Sequence, residues 1–377
     1  APSYFKYLGE MVASNKMLGG SQNSNEAPFR FEIGLAWSGE SRVPVARNLA
    51  AINGGNTLKI NAPARTETDV REKRTQSIQY LTSGEIGTAY SPNYSFSNSN
   101  IPGGTYVDAA PYAAPSHHLE EISVVNPDGN RYVYNLPAYN LSQRDVMFSV
   151  SGDGVTTGRT RLYGATDNTT ENDKGMSNLF SETVMPPYAH SYLLTEVLSP
   201  DYVDLTGNGP SEDDLGYWVK FNYIKKNDPF RWRAPYGKAV NEGNNIENNF
   251  TDDYDDMAGY SYGEKEIMYL ESIETKTHVA EYHMSTREDG LGVVGENGTK
   301  DNNQRLLKLD KIVLKSKASN KTIKTVHFKY NYSLCQNIPN NINFNGTTGP
   351  GKLTLEKVWF TYLDNEMKGA LSPYQFT

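Results

Sequence analysis

The sequence predicts a mainly β fold of antiparallel, hairpin-rich sheets, with few short helices and long polar loops. Aromatic residues make up 11% of the 377 residues, through 26 Tyr and 13 Phe, although hydrophobic residues reach only 37%. Short segments alternate apolar and polar residues with a period of two, which is typical of strands that bury one face. No βαβ alternation is visible, so doubly wound and barrel enzyme scaffolds are not expected.

The first clear element is a β-hairpin over residues 123–134. β-Branched and aromatic residues flank the turn sequence Asn126-Pro127-Asp128-Gly129 on both sides. Proline presets the backbone of a turn and glycine supplies a positive φ. This composition predicts two antiparallel strands joined by a tight turn.

Further strands are predicted towards the C-terminus. Period-two alternation marks residues 218–224, 267–273, 309–314, 326–335 and 353–362. Each segment has one apolar and one polar face, as in an antiparallel sheet with one side in water. Helical signals are few: residues 188–198 fit either three helical turns or a pair of strands, and short helical turns are predicted near residues 301–305.

Polar segments suggest how the chain is organised. Residues 91–104 are rich in Ser, Asn, Pro and Gly, and residues 237–259 are rich in Asn and Asp. The predicted division is an N-terminal β-rich region (1–160), a polar linker or loop (161–185) and a C-terminal β-rich region (186–377). Neither end carries a signal, cap or anchor pattern, which predicts a processed or partial piece that continues into a longer parent chain.

Charge and composition exclude several classes of function. Lys and Arg number 36 against 44 Asp and Glu, which leaves a net charge of -8. That field repels phosphate backbones, so no nucleic-acid partner is expected. No run of about 18 apolar residues occurs, so no transmembrane segment is predicted. The single cysteine rules out an intrachain disulfide framework.

A calcium site is the sharpest local prediction. Oxygen-bearing side chains alternate over residues 204–208, Gly209 permits a tight bend, and further carboxylates follow. This spacing resembles the oxygen ligands of short calcium loops between strands. The predicted ligands are Asp204, Thr206, Asn208, Glu212 and Asp213. The alternative is an acidic turn capped by its own side chains. A second acidic cluster, residues 252–256, is interpreted as a solvated loop.

Three tryptophans, Trp218, Trp232 and Trp359, are candidates for a sugar-binding platform, because an aromatic face on a solvent-facing strand position can stack on a sugar ring. The first two are the predicted ligand-binding residues. The alternative for all three is packing in the core or against a cross-strand neighbour. A glycan is therefore a candidate partner.

Catalytic signals are weak. No HExxH helix, nucleophile elbow or phosphate-cradling glycine loop occurs, and the six histidines lack metal-ligand spacing. None of the 44 acidic residues is marked by local sequence as part of the carboxylate pair that glycoside hydrolysis needs. The sequence predicts no enzyme activity, and a hydrolase acting on polysaccharide or peptide is the least favoured alternative.

Several segments resemble very large exported Rhs/YD-repeat-like proteins of Bacteroidota. The resemblance is strong from about Tyr188 onward and weaker before it, although it covers most of the chain. Its strong segments are residues 191–210, 262–270, 273–281 and 351–362, and the weaker ones are residues 77–82 and 132–139. The repeated Tyr-Asp motif of true YD repeats is not evident, which favours a shell-entry or plug-proximal region over the repeat spiral.

The resemblance implies a place in a much larger protein. Such proteins run to thousands of residues and are commonly exported by the type 9 secretion system, to the medium or the outer face of the outer membrane. Rhs-like chains wind β-hairpins into a hollow shell that can enclose a C-terminal toxin. The chain is thus expected to be a non-enzymatic structural segment, part of a β-shell or sandwich that scaffolds cargo or adhesion. Its partners would be the rest of its parent chain and secretion or surface-complex proteins. The alternative is a glycan- or protein-binding surface module.

Overall fold

A computed structural model describes residues 78–101, 106–150, 160–162, 164, 166–175, 178–237, 239–242, 257–363, 365 and 369–376. Within these residues the chain forms strands and connecting loops and no helix. The mainly β, antiparallel fold class predicted from the sequence is confirmed. The acidic cluster at residues 252–256 and the first 77 residues lie outside the described ranges.

The strands, numbered in chain order, are β1 Ile78–Thr82, β2 Tyr106–Asp108, β3 Leu119–Val125, β4 Arg131–Tyr134, β5 Leu136–Ser149, β6 Thr160–Leu162, β7 Phe180–Met185, β8 Tyr188–Leu193, β9 Glu196–Leu198, β10 Trp218–Lys226, β11 Phe230–Ala234, β12 Ala239–Glu242, β13 Met257–Lys265, β14 Met268–Thr275, β15 His278–Val293, β16 Lys300–Ser316, β17 Lys321–Leu334, β18 Lys352–Tyr362 and β19 Tyr374–Gln375. They form two sheets. The large sheet has 12 strands in the order β1-β3-β4-β9-β10-β14-β15-β16-β17-β18-β19, with β2 also pairing β10. The smaller sheet has seven, in the order β6-β12-β13-β5-β7, with β11 on β13 and β8 on β5.

A long meander forms one end of the large sheet. Strands β14 to β18 follow one another in sequence and in space, and β15, β16 and β17 are 16, 17 and 14 residues long. Most residues of β16, β17 and β18 are half-buried, on both faces of the sheet. Neither face of this region is therefore covered as completely as the core of a two-layer sandwich would be.

The predicted strands are present, and the predicted helices are not. Strands β3 and β4 form the hairpin around Gly129, which has a φ of 87°. Residues 188–198 form strands β8 and β9, so the strand alternative holds there. The helical turns predicted near residues 301–305 were wrong, because β16 runs through them and pairs Asp301 with Gly292 and Arg305 with Leu291 of β15.

The predicted linker does not separate the two sheets. The smaller sheet takes β5 from before residue 150 and pairs it with β13, more than a hundred residues later. The large sheet likewise combines β1, β3 and β4 with strands from the C-terminal half. The fold interleaves the two halves, so a boundary at residues 161–185 does not correspond to a boundary between the sheets.

The buried apolar residues form several small clusters. One, with Phe148 and Tyr260, lies within the smaller sheet. Another joins Leu136 of β5 to Tyr223 of β10, where the chain passes between the sheets. The large sheet also buries many polar and charged residues, and these define its candidate site.

Candidate functional site

A polar segment crosses one face of the large sheet. This segment, residues 88–98, is called the strap here, and it overlaps the polar segment predicted at residues 91–104. The Tyr90 hydroxyl accepts the backbone N–H of Tyr223 at 2.8 Å, at a β-bulge where the pairing of β10 with β14 shifts. Further along, the backbone N–H of Asn93 donates to the Asn222 side chain at 3.0 Å. The strap thus uses backbone groups that the bulge releases.

Beneath the strap lies a row of alternating charges, called the charged seam. Lys220 of β10 pairs across the strands with Glu196 of β9 on one side and Glu274 of β14 on the other. Directly paired residues point to the same face of a sheet. Lys220 and Glu274 are both buried. Burial lowers the pKa of Lys220 and raises the pKa of Glu196 to about 7.

Glu281 of β15 is the centre of the seam. Its carboxylate is 2% exposed and accepts a hydrogen bond from the Tyr94 hydroxyl at 2.6 Å. The Lys315 ammonium lies 2.8 Å from Oε2 of Glu281. Nε2 of His283 lies 3.4 Å from the same oxygen, which is within ion-pair distance but lacks hydrogen-bond geometry. Burial alone would raise the pKa of Glu281, but these contacts outweigh it and lower the pKa to about 2. The seam therefore holds the strap through an ionised carboxylate.

Lys317 connects the seam to the loop of residues 199–217. Its ammonium lies 2.8 Å from Glu274 and 2.6 Å from Glu212. It also stands 5.7 Å from the ring centroid of Trp218. The loop is thus tied to the same face of the sheet as the strap.

The predicted calcium ligands lie in this loop. The Asp204 carboxylate accepts backbone N–H groups of Thr206, Gly207 and Gly209 at 3.1, 2.6 and 2.9 Å. One oxygen of Asp204 accepts two of these bonds and the other accepts one, so a lone pair remains with which the carboxylate could bind a cation. This arrangement is that of a turn capped by its own side chain.

Two of the other four predicted ligands have partners of their own. Glu212 pairs with Lys317, and Asp213 accepts a hydrogen bond from Ser211. Thr206 and Asn208 are exposed. Among the described residues, no group of three or more His, Cys, Asp or Glu is placed to hold a metal ion.

Asp214 is the loop carboxylate that the sequence reasoning missed. It is 2% exposed and accepts the backbone N–H groups of Leu205 and Ser211 and the Tyr202 hydroxyl, at 2.9 to 3.0 Å. Burial would raise the pKa of Asp214, but these hydrogen bonds outweigh it and lower the pKa. The spacing of three residues between Ser211 and Asp214 is the local signal that could have indicated this turn.

The two candidate tryptophans are held by neighbouring residues. Trp218 is 2% exposed, packs with Val133 and Leu198, and donates its indole N–H to the Ser211 carbonyl at 2.8 Å. Its ring is in the core, so no face is free to stack on a sugar. Trp232 of β11 is half-buried and covers Gly263, where a Cβ atom would come within 2.9 Å of the ring.

The end of the large sheet carries a group of exposed apolar side chains, called the apolar edge. Strand β19 pairs with β18 only at Lys357 and Val358, among the described residues. Leu371 and Tyr374 are 90% and 65% exposed. The other members of the edge are Tyr362, Leu363 and Phe376. Large exposed apolar groups at a sheet edge are typical of a contact surface.

Comparison with protein-family models, curated proteins and solved structures found no match to this chain. Within the described ranges, no helix has the length and apolar character needed to cross a membrane.

Proposed function

We propose that the chain is a non-enzymatic structural segment of a very large exported Rhs-like surface protein. In this role it forms part of a β-shell or scaffold for cargo, including a toxin, or for adhesion. The observation that carries the proposal is the long meander of β14 to β18, whose last three strands are mostly half-buried on both faces and which ends at the apolar edge. A β-wall built of successive hairpins would likewise consist of long antiparallel strands that follow one another in sequence and in space.

The apolar edge favours the proposal that another β-strand packs against this end of the large sheet. A sheet edge presents unpaired N–H and C=O groups, and proteins usually protect such edges with charges or a covering segment. Here the last strand and the residues beside it instead expose Leu371, Tyr374 and Phe376. We propose that further strands of the parent chain cover them and continue the sheet.

The charged seam supports a static role for the covered face. The strap is held by Tyr94 on Glu281, and Asn98 accepts the backbone N–H of Met284 at 3.0 Å. Together with the bonds of Tyr90 and Asn93 to β10, these bonds fix the strap across β10 and β15, so the seam stiffens the sheet. A segment that bonds to several strands restricts their relative movement, as a structural role requires.

Cryo-electron microscopy of the full-length parent protein tests the proposal. The expected result is that β19 is paired on its outer side by a strand of the same chain and that the meander continues into a β-wall. A parent structure in which Tyr374 and Phe376 face solvent and the sheet ends at β19 would refute it.

Surface location is tested separately through Cys335, the single cysteine of the chain, which is exposed. A membrane-impermeant maleimide applied to intact cells is expected to label the peptide that contains Cys335. Cys335→Ser is the matched control and should remove the label from that peptide. Labelling that occurs only after cell lysis would contradict a location on the cell surface.

A surface binding module is the second candidate function. It is favoured by one observation, a deep polar cleft where the chain passes from the large sheet to the smaller one. The cleft is lined by charged and polar side chains, and neither Trp218 nor Trp232 lines it.

A further inference from the structure

The cleft has a volume of about 550 Å³ and lies beside an irregularity in the β15–β16 pair. Pairing jumps there from Thr286 with Leu307 to Leu291 with Arg305, so several residues of β15 bulge outward. The Arg305 guanidinium donates to the carbonyl of Arg287 within the bulge at 2.9 Å. A cavity of this size accommodates a small ligand of about the volume of a disaccharide.

The cleft is locally positive in a protein of net charge -8. Its lining includes three cations, Lys226, Arg231 and Arg305, against two carboxylates, Asp228 and Asp301. Arg231 lies 3.3 Å from Asp301, which neutralises part of the charge. An excess of one positive charge remains, so the cleft favours an anion.

The Lys226 ammonium forms the buried floor of the cleft. Lys226 is 8% exposed, and its ammonium donates to the Asn303 carbonyl at 2.6 Å. An ammonium has three N–H donors, and this bond uses one of them. Burial lowers the pKa of Lys226, whereas Asp301 and Asp228 act in the opposite direction. A bound anion would restore the solvation that this cation loses on folding.

Two residues that line the cleft carry buried polar atoms that lack hydrogen-bond partners among the described residues. Arg231 Nε is a donor, and Gln304 Oε1 is an acceptor. Gln304 is 3% exposed, and its amide N–H is already donated to the Pro229 carbonyl at 3.2 Å. A ligand that satisfies both atoms must offer a hydrogen-bond acceptor to Arg231 Nε and a donor to Gln304 Oε1. A molecule with both an anionic group and hydroxyl groups meets both needs.

We propose that this cleft binds a sugar acid, a hydroxylated ring that carries a carboxylate. The carboxylate lies between Lys226 and Arg231, where it accepts from both cations. A ring hydroxyl donates to Gln304 Oε1, and the exposed Asn302 and Asp228 side chains at the rim meet the remaining hydroxyls. The inference names the ligand class of the second candidate function and is independent of the scaffold function.

Calorimetric titration of the 377-residue chain with D-glucuronate tests the inference, with D-glucose and glucose 6-sulfate as comparison ligands. Glucuronate is expected to bind, glucose to bind at least about tenfold more weakly, and added salt to weaken the glucuronate interaction. No detectable heat with glucuronate at about 10 mM, a concentration sufficient to detect a millimolar Kd, would overturn the proposal. Equal binding of glucose would overturn the role of the charge, and preferred binding of glucose 6-sulfate would overturn the carboxylate.

Three variants locate the site. Lys226→Met is expected to weaken glucuronate binding at least about tenfold. Asn302→Asp adds a negative charge at the exposed rim, so it should weaken binding without disturbing the fold, and Asp228→Asn should strengthen it. The matched control is Lys329→Met, because Lys329 is an exposed lysine of β17 that does not line the cleft. Binding that survives both Lys226→Met and Asn302→Asp unchanged would refute the assignment, whatever the state of the scaffold proposal.

Discussion

Replacing Glu281 with Gln removes the charge at the centre of the seam. In the native protein this buried carboxylate contacts the Tyr94 hydroxyl at 2.6 Å and the Lys315 ammonium at 2.8 Å. The amide keeps the shape of the side chain and one acceptor oxygen, so little packing is lost. The variant instead leaves a partly buried Lys315 without its anion, and the loss of a buried partner destabilises by several kcal/mol in other proteins.

The magnitude follows from the pKa of Glu281. Its ordinary value is 4.5, and the contacts with His283, Lys315 and Tyr94 lower it to about 2. One pKa unit corresponds to about 1.36 kcal/mol, so the ionised form contributes about 3 kcal/mol, or about 2 kcal/mol after allowance for solvent screening at Lys315. Because the folded pKa is below the unfolded one, this stability is present above pH 4.5 and is lost as pH falls through 2.

Urea denaturation followed by tryptophan fluorescence measures the effect. At pH 7 Glu281→Gln is expected to lower the free energy of unfolding by about 2–3 kcal/mol, and the difference from wild type should shrink as the pH approaches 2. Glu212→Gln is the matched control, because Glu212 pairs with Lys317 but is 70% exposed, and it should cost less than about 0.5 kcal/mol. The reasoning fails if the two variants cost the same, or if the Glu281→Gln difference is equal at pH 7 and pH 2.5.

Three further perturbations test other parts of the molecule. Burial raises the pKa of Glu271 to about 7, so stability is lost as pH rises from 4.5 through 7. Glu271→Gln should therefore stabilise the protein by about 1–2 kcal/mol at pH 8 and not at pH 4, and an equal effect in urea titrations at both pH values would contradict this. Trp218→Ala should cost about 3–5 kcal/mol by circular dichroism, because the ring is buried in the core; wild-type stability would show that the ring is not packed. A turn that is only self-capped predicts a melting temperature that is unchanged by EDTA and lowered by Asp204→Ala with or without EDTA, because the substitution removes three backbone hydrogen bonds; a decrease in EDTA that calcium reverses would support the calcium prediction instead.

Period-two patterns predicted five of the strands in the described ranges. Strands β10, β14, β16, β17 and β18 overlap the segments marked by alternation. The alternation matches the burial pattern in the first half of β10, whereas β17 and β18 are mostly half-buried on both faces. The pattern failed at residues 301–305. Their local composition is polar, and only pairing with Gly292 and Leu291 of β15 makes them a strand. Local propensity is weak compared with a paired neighbour.

The candidate site was predictable only in part. The turn at Asp204 was visible because its residues are close in sequence, and the self-capped alternative describes the observed hydrogen bonds. The contact between Tyr94 and Glu281 spans 187 residues, and no local spacing indicates it. The burial of Trp218 likewise follows from Val133 and Leu198, which lie on other strands.

The amino-acid sequence by itself determined that the chain would form antiparallel strands joined by turns and polar loops. Turn chemistry and alternation are local properties, so they do not depend on which strands become neighbours. Only the tertiary structure decided the strand order, the crossing of the strap, the burial of Glu281 and Lys226, and the exposure of the apolar edge. The reason is physical: strand register brings distant residues together, and burial and charge environment exist only after that pairing is complete.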